Sequence, residues 1–198
     1  MKFVLSSIFL FSIYAVSQGF VIPKDYISRK VCPFPNGTET AIHAFNCDNS
    51  AMPMLVKTAE ILDGSGNVVY PIDPRKDIII ALTAINNGLV YNDNRVRVKI
   101  SEYTTNWLTG ECGWVEIPTF GLLNNIDGCS YAHNCPLVKG NLDLRLPINL
   151  SGFSSIINAI AGKNPYQIEI RMQDYNEGDT QHEEFSCVVT QLRFSESG

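Results

Sequence analysis

The chain of 198 residues is short of the groups that most enzyme chemistry needs. It has three histidines, His43, His133 and His182, and none has an acid–base partner close by in sequence. His182-Glu183-Glu184 lacks a second histidine at helical spacing, so it reads as an exposed turn rather than a zinc-protease helix. There is no Gly-x-Ser-x-Gly elbow and no phosphate-binding glycine loop. Only carboxylates brought together by folding, as in glycosidases, would leave no local mark, so an enzyme is not expected. Basic residues are few as well. Lys and Arg number 15 against 20 Asp and Glu, for a net charge of −5. That balance excludes nucleic acid as the main partner, because phosphate binding needs a positive surface. Beyond the first nineteen residues, no apolar run approaches the ~20 residues that cross a bilayer.

What the chain does have begins at its N-terminus. Residues 1–19 read as a secretory signal peptide: Lys2, an apolar stretch over 3–16, then small residues at Ala15 and Ser17. Cleavage is expected after Ser17 or after Gly19. Without Lys2 the count is 14 basic against 20 acidic residues, or −6. The remaining ~180 residues suit one domain with a sizeable core. Six cysteines, Cys32, Cys47, Cys112, Cys129, Cys135 and Cys187, imply three disulfides in an oxidising compartment. Six cysteines allow 15 connectivities, and the spacing alone does not choose among them. His133 between Cys129 and Cys135 raises zinc, but there is no Cys-x-x-Cys and no second ligand pair, so no metal is expected. Two sequons, at Asn36 and Asn149, are candidate glycosylation sites.

The body of the chain reads as strands. Residues 55–62 form one, closed by the turn at 63–67. Residues 77–85 are β-branched and apolar, which predicts a central buried strand. Residues 95–100 alternate strictly: Val96, Val98 and Ile100 on one face, Arg95, Arg97 and Lys99 on the other. A short strand follows at 114–117. Leu142, Leu144 and Leu146 alternate with Asp143 and Arg145, and Tyr166, Ile168, Ile170 and Met172 alternate with polar residues. Residues 185–194 form the last strand. Residues 20–44 read as an irregular arm, and 151–161 as a short helix, with Gly162 as its stop, or a loop insertion. About seven short strands separated by turns predict an all-β sandwich. The same alternation is expected of an ordinary packed core, and periodicity does not tell a filled core from a hollow one.

The most specific local pattern is Asp127-Gly128-Cys129-Ser130-Tyr131-Ala132-His133-Asn134-Cys135-Pro136. Asp-Gly and the proline punctuate a tight loop, short enough for the two sulfurs to meet. Asp-Gly-Cys, five residues, then Cys-Pro preceded by Asn resembles the signature of the ML (lipid-recognition) domain family. That family includes the soluble Niemann–Pick type C sterol carrier and the ganglioside activator protein. Phe45-Asn46-Cys47-Asp48, Ser186-Cys187-Val188, Leu146-Pro147 and Tyr166-Gln167-Ile168-Glu169 resemble the family in the right order, over residues 45–194.

The resemblance implies an immunoglobulin-like β-sandwich whose sheets part to hold a lipid. It implies bridges Cys47–Cys187 and Cys129–Cys135, which leaves Cys32 and Cys112 for each other. Residues 45–194 would be the lipid-binding domain and 195–198 a tail. The expected slot lining is Val96, Val98, Ile100, Leu142, Leu144, Ile168, Ile170 and Met172. Sterol, fatty acyl lipid or glycolipid are the expected ligands, with no cofactor. An accessory protein that presents a glycolipid to a hydrolase, or a microbial lipid to a receptor, is the alternative. Collecting lipid requires transient contact with a membrane surface, for which Trp107 and Leu108 are the candidates, because tryptophan favours the interface. Arg95, Arg97 and Lys99 would offer a local basic face to anionic lipid. Localisation is expected to be secreted, or lysosomal if a glycan at Asn36 or Asn149 carries the mark.

Overall fold

A computed structural model describes residues 31–47, 52–148 and 163–195. The expected signal peptide, Asn149 and the expected helix at 151–161 lie outside the described residues. The described chain forms β1 (His43–Asn46), β2 (Met54–Leu62), β3 (Ile78–Asn86), β4 (Asn94–Thr105), β5 (Cys112–Glu116), β6 (Ile126–Asp127), a short helix α1 (Gly128–Ala132), β7 (Gly140–Ile148), β8 (Pro165–Asp174) and β9 (Glu184–Arg193). They make two antiparallel sheets packed together, the all-β sandwich expected from the alternation. The larger sheet runs β1-β9-β8-β4-β5. β6 shares the outer edge of β4 with β5: β6 pairs with Arg95 and Val96, and β5 with Ser101 to Thr105. The smaller sheet runs β2-β3-β7.

β3 is central in the smaller sheet, as its apolar run predicts. β2 contains a bulge at Lys57, visible as a register shift between Val56 and Thr58. The extra residue keeps Met54 and Val56 before it, and Ala59 and Ile61 after it, on the same inward face. β4 outruns the alternating segment at 95–100: residues 101–105 pair with β5 and are not on the cavity wall.

Two readings of the sequence need correction. The segment read as an irregular arm is, from Cys32 on, part of the domain. Cys32 is bonded to Cys112 at the start of β5, Pro35–Gly37 make a 3-10 turn, and β1 pairs with β9. Four residues at a sheet edge are too few to give a period. The Asp127–Cys135 stretch is also more than a loop. Asp127 caps α1, its carboxylate accepting the Ser130 amide at 2.9 Å.

The three disulfides are Cys32–Cys112, Cys47–Cys187 and Cys129–Cys135. Cys47–Cys187 closes a separation of 140 residues. In the chain-entropy account that contributes about 4–5 kcal/mol. Three disulfides are compatible with an extracellular or secreted protein.

Candidate functional site

An apolar cavity of about 280 Å³ lies between the sheets. On the same measure one water needs about 10–15 Å³, so this is no packing defect. The larger sheet supplies Val96, Val98 and Ile100 from β4, Ile168, Ile170 and Met172 from β8, and alternate residues of β9 from Ser186 to Leu192, followed by Phe194 just beyond it. The smaller sheet supplies the inward faces of β2 and β3, with Leu144, Leu146 and Ile148 from β7. Several of these residues lie between two sheets yet are only half-buried, among them Val98, Ile168, Ile170 and Val188. In a filled sandwich the inward positions would be covered by the opposite sheet.

Of the eight residues expected to line a slot, seven do. Leu142 does not. It shares the phase of Leu144 and Leu146 but sits nearer the end of β7, packed with Met54, Ala84, Tyr91, Leu137 and Phe185. Tyr91 and Phe185 stack there with centroids 3.7 Å apart. This cluster fills one end of the sandwich. A second, with Ile72, Tyr166, Leu192 and Phe194, fills the other. Leu146 has the same phase as Leu144 and was recoverable from the alternation. The contributions of β2 and β3 depend on sheet pairing and were not.

The flanks differ in how they are held. On the β1–β2 side the Asn46 amide joins the sheets. Its Nδ2 donates to the Val56 carbonyl at 2.8 Å, and its Oδ1 accepts the Val56 amide at 2.9 Å. Both backbone groups adjoin the β2 bulge, where sheet pairing is interrupted. On the other side α1 packs on both β4 and β7. Gly128 lets it come close: a Cβ there would stand 2.0 Å from Asn94 Oδ1 and 2.9 Å from Val96 Cγ2. The Cys129–Cys135 bridge staples this segment, and the buried Asn94 amide donates towards its sulfurs at 3.3 and 3.1 Å. Tyr131 and Ala132 of α1, and Asn134 after it, reach the cavity wall. Burial pushes the Tyr131 phenol above its usual pKa, so it stays neutral. Among the described residues, the wall carries no charged side chain.

The zinc alternative meets a chemical obstacle, since Cys129 and Cys135 are bonded to each other. Asp93 and Asp127 lie near Cys129, but Arg95 pairs with both carboxylates. The basic face is likewise smaller than the sequence implied. Arg95 is engaged, and Lys99 pairs with Glu116 at 3.0 Å, which leaves Arg97 without an ion pair among the described residues. Asn36 is exposed, and its Nδ2 donates to Gln191 Oε1 at 2.6 Å.

Trp107 and Leu108 stand at the tip of the β4–β5 hairpin, 88% and 71% exposed. The Asn106 side chain accepts the Leu108 amide at 2.8 Å and fixes the turn. A second exposed apolar tip escaped the sequence reading: Phe120, 89% exposed, and Leu122. They precede Leu123, which is buried on the cavity wall and whose carbonyl accepts the Val98 amide. The Pro118 to Gly121 turn signal was there to be read; the exposure was not.

No family model and no curated protein sequence matches the chain. Solved structures that align with it include the C-terminal domain of wzt, over 79% of this chain and 80% of that one, at 10% identity and a TM-score of 0.34. At that TM-score the likeness carries no argument.

Proposed function

We propose that this protein is a secreted lipid carrier that holds a sterol, acyl chain or glycolipid between its two sheets. The observation that supports this reading most is the apolar cavity itself. A dry cavity costs about 24 cal/mol per Å³ in core-truncation series, so 280 Å³ left unfilled would cost ~7 kcal/mol. That is comparable with the whole stability of a typical domain, about 5–15 kcal/mol. An apolar ligand recovers it. Burying about ten methylenes at ~0.8 kcal/mol each yields ~8 kcal/mol, or micromolar affinity before ordering costs. Such affinity retains a lipid in water and releases it to a membrane. A wall without charge among the described residues favours lipid over a polar metabolite.

The resemblance of the Asp127–Pro136 stretch to ML-domain proteins supports the same reading, and the exposed tips at Trp107 and Phe120 would touch the bilayer. Delivery to lysosomes, or presentation of the lipid to a hydrolase or receptor, would add a protein partner to the same cavity. Native mass spectrometry of the secreted protein tests the proposal. A stoichiometric lipid adduct, lost on delipidation and regained on incubation with vesicles, is expected. A protein that never carries or acquires lipid refutes it.

A further inference from the structure

We infer that the Ser186 hydroxyl is the polar anchor of the cavity and receives an uncharged oxygen, hydroxyl or carbonyl, at the inner end of the bound lipid. The inference rests on the lipid-carrier reading above. Ser186 belongs to the cavity wall, is 1% exposed, and its Oγ has no hydrogen-bond partner among the described residues. A buried hydroxyl without a partner is costly, so it is retained at a cost unless something in the cavity satisfies it.

Its position is at one of the two filled ends of the cavity, the one closed by the Tyr91–Phe185 cluster. Ser186 lies opposite Met172, and Met172 opposite Val96, so these three form one level of the wall. Phe185, the next residue, stacks on Tyr91 and closes the space beyond together with Leu137. Oγ is covered as it stands, so an incoming atom needs a rotation of the serine side chain and some yielding of its neighbours. Met172 is suited to that: it is unbranched and adaptable.

The chemistry of the wall selects the ligand group. With no charged side chain on it among the described residues, a carboxylate or phosphate carried to this depth would be buried without a counter-charge. A bare hydrocarbon end would leave Oγ unsatisfied. A neutral alcohol or carbonyl satisfies it either way, because a serine hydroxyl both donates and accepts. The ligand class is therefore an uncharged lipid alcohol or carbonyl compound, inserted polar end first. Thr190, also on the β9 wall, lies four residues along, about 13 Å away, and is the natural comparison.

The test is displacement of a bound fluorescent acyl probe by 1-dodecanol and by dodecane, on wild type, Ser186→Ala and Thr190→Val. Ser186→Ala should weaken dodecanol about fivefold and leave dodecane unchanged or tighter. The ligand-free melting temperature of Ser186→Ala should equal or exceed that of wild type, since an unsatisfied hydroxyl is removed. Equal effects on both competitors, a lowered melting temperature, or loss of the alcohol preference in Thr190→Val alone would overturn the anchor. Binding of both competitors with no dependence on Ser186 refutes the anchor and leaves the carrier reading standing. Binding of neither by wild type refutes both.

Discussion

Val98→Trp separates a hollow sandwich from a filled one. Val98 is in the middle of β4, opposite Ile170, half-buried and on the cavity wall. In a close-packed core, an indole in place of an isopropyl group would force side chains off their rotamers and cost about 1–3 kcal/mol. A cavity of about 280 Å³ has room for it, so the expected cost is below ~1 kcal/mol. For a protein of this size that is a shift in Tm of at most about 4 °C. The ligand suffers instead. If the indole excludes about four methylenes at ~0.8 kcal/mol each, the lipid loses ~3 kcal/mol, roughly a hundredfold in Kd. The assay is a fluorescent sterol and a fluorescent acyl lipid titrated into wild type and variant, with melting curves of both delipidated proteins. A variant that melts far lower but binds with unchanged affinity would refute the reasoning, and Val98 would be ordinary core.

Asn46→Ala removes two hydrogen bonds and strands the amide and carbonyl of Val56 at the bulge, so we expect a loss of about 1–3 kcal/mol in urea unfolding. A loss below ~0.5 kcal/mol would mean that the amide does not join the sheets. Asp127→Ala should cost about 0.5–1 kcal/mol at pH 7, since the half-exposed carboxylate caps α1. The Ser130 amide holds the Asp127 carboxyl below its ordinary pKa. A depressed folded pKa means that this stability is present above the unfolded value of about 3.9 and is lost as pH falls through the lower folded value. The gap between variant and wild type should therefore close in acid, and a gap that persists at pH 2 would show that the charge is not the cap. Trp107→Ala combined with Phe120→Ala should slow lipid transfer between vesicles with solution affinity and stability unchanged, because both side chains lie almost wholly in solvent. Transfer at the wild-type rate would place the membrane contact elsewhere.

Much of the fold is legible in the sequence because a half-buried strand writes its two faces at period two. Val96, Val98 and Ile100 point where the alternation puts them, and so do Ile168, Ile170 and Met172. The failures share a cause. Alternation gives a residue's face but not its height along the strand, so Leu142 was placed with Leu144 although it belongs to the filled end. β1 is too short to show a period. The Asn46 amide is useful only because Val56 adjoins a bulge, and a bulge is a property of the pairing of β2 with β3. Ser186 follows the unpaired Phe185 of β9, so its inward direction likewise depends on register.

Whether such a sandwich is hollow is decided at its flanks, and this is why the cavity left no mark in the alternating strands. The apolar faces of β4, β8 and β3 would serve a closed core as well as an open one. On one flank the sheets are tied by the Asn46 amide, whose own strand end is fastened to β9 within the larger sheet by Cys47–Cys187. On the other, α1 stands between β4 and β7, brought against β4 by Gly128 and stapled by Cys129–Cys135. A tie alone would let the free edges collapse onto each other; a wedge alone would let the sheets splay. Together they set a separation that the side chains between do not fill. The Asp-Gly-Cys…Cys-Pro stretch is therefore informative for a physical reason: it encodes the wedge. Its N-cap, its close-approach glycine and its staple all fall within nine positions, from Asp127 to Cys135.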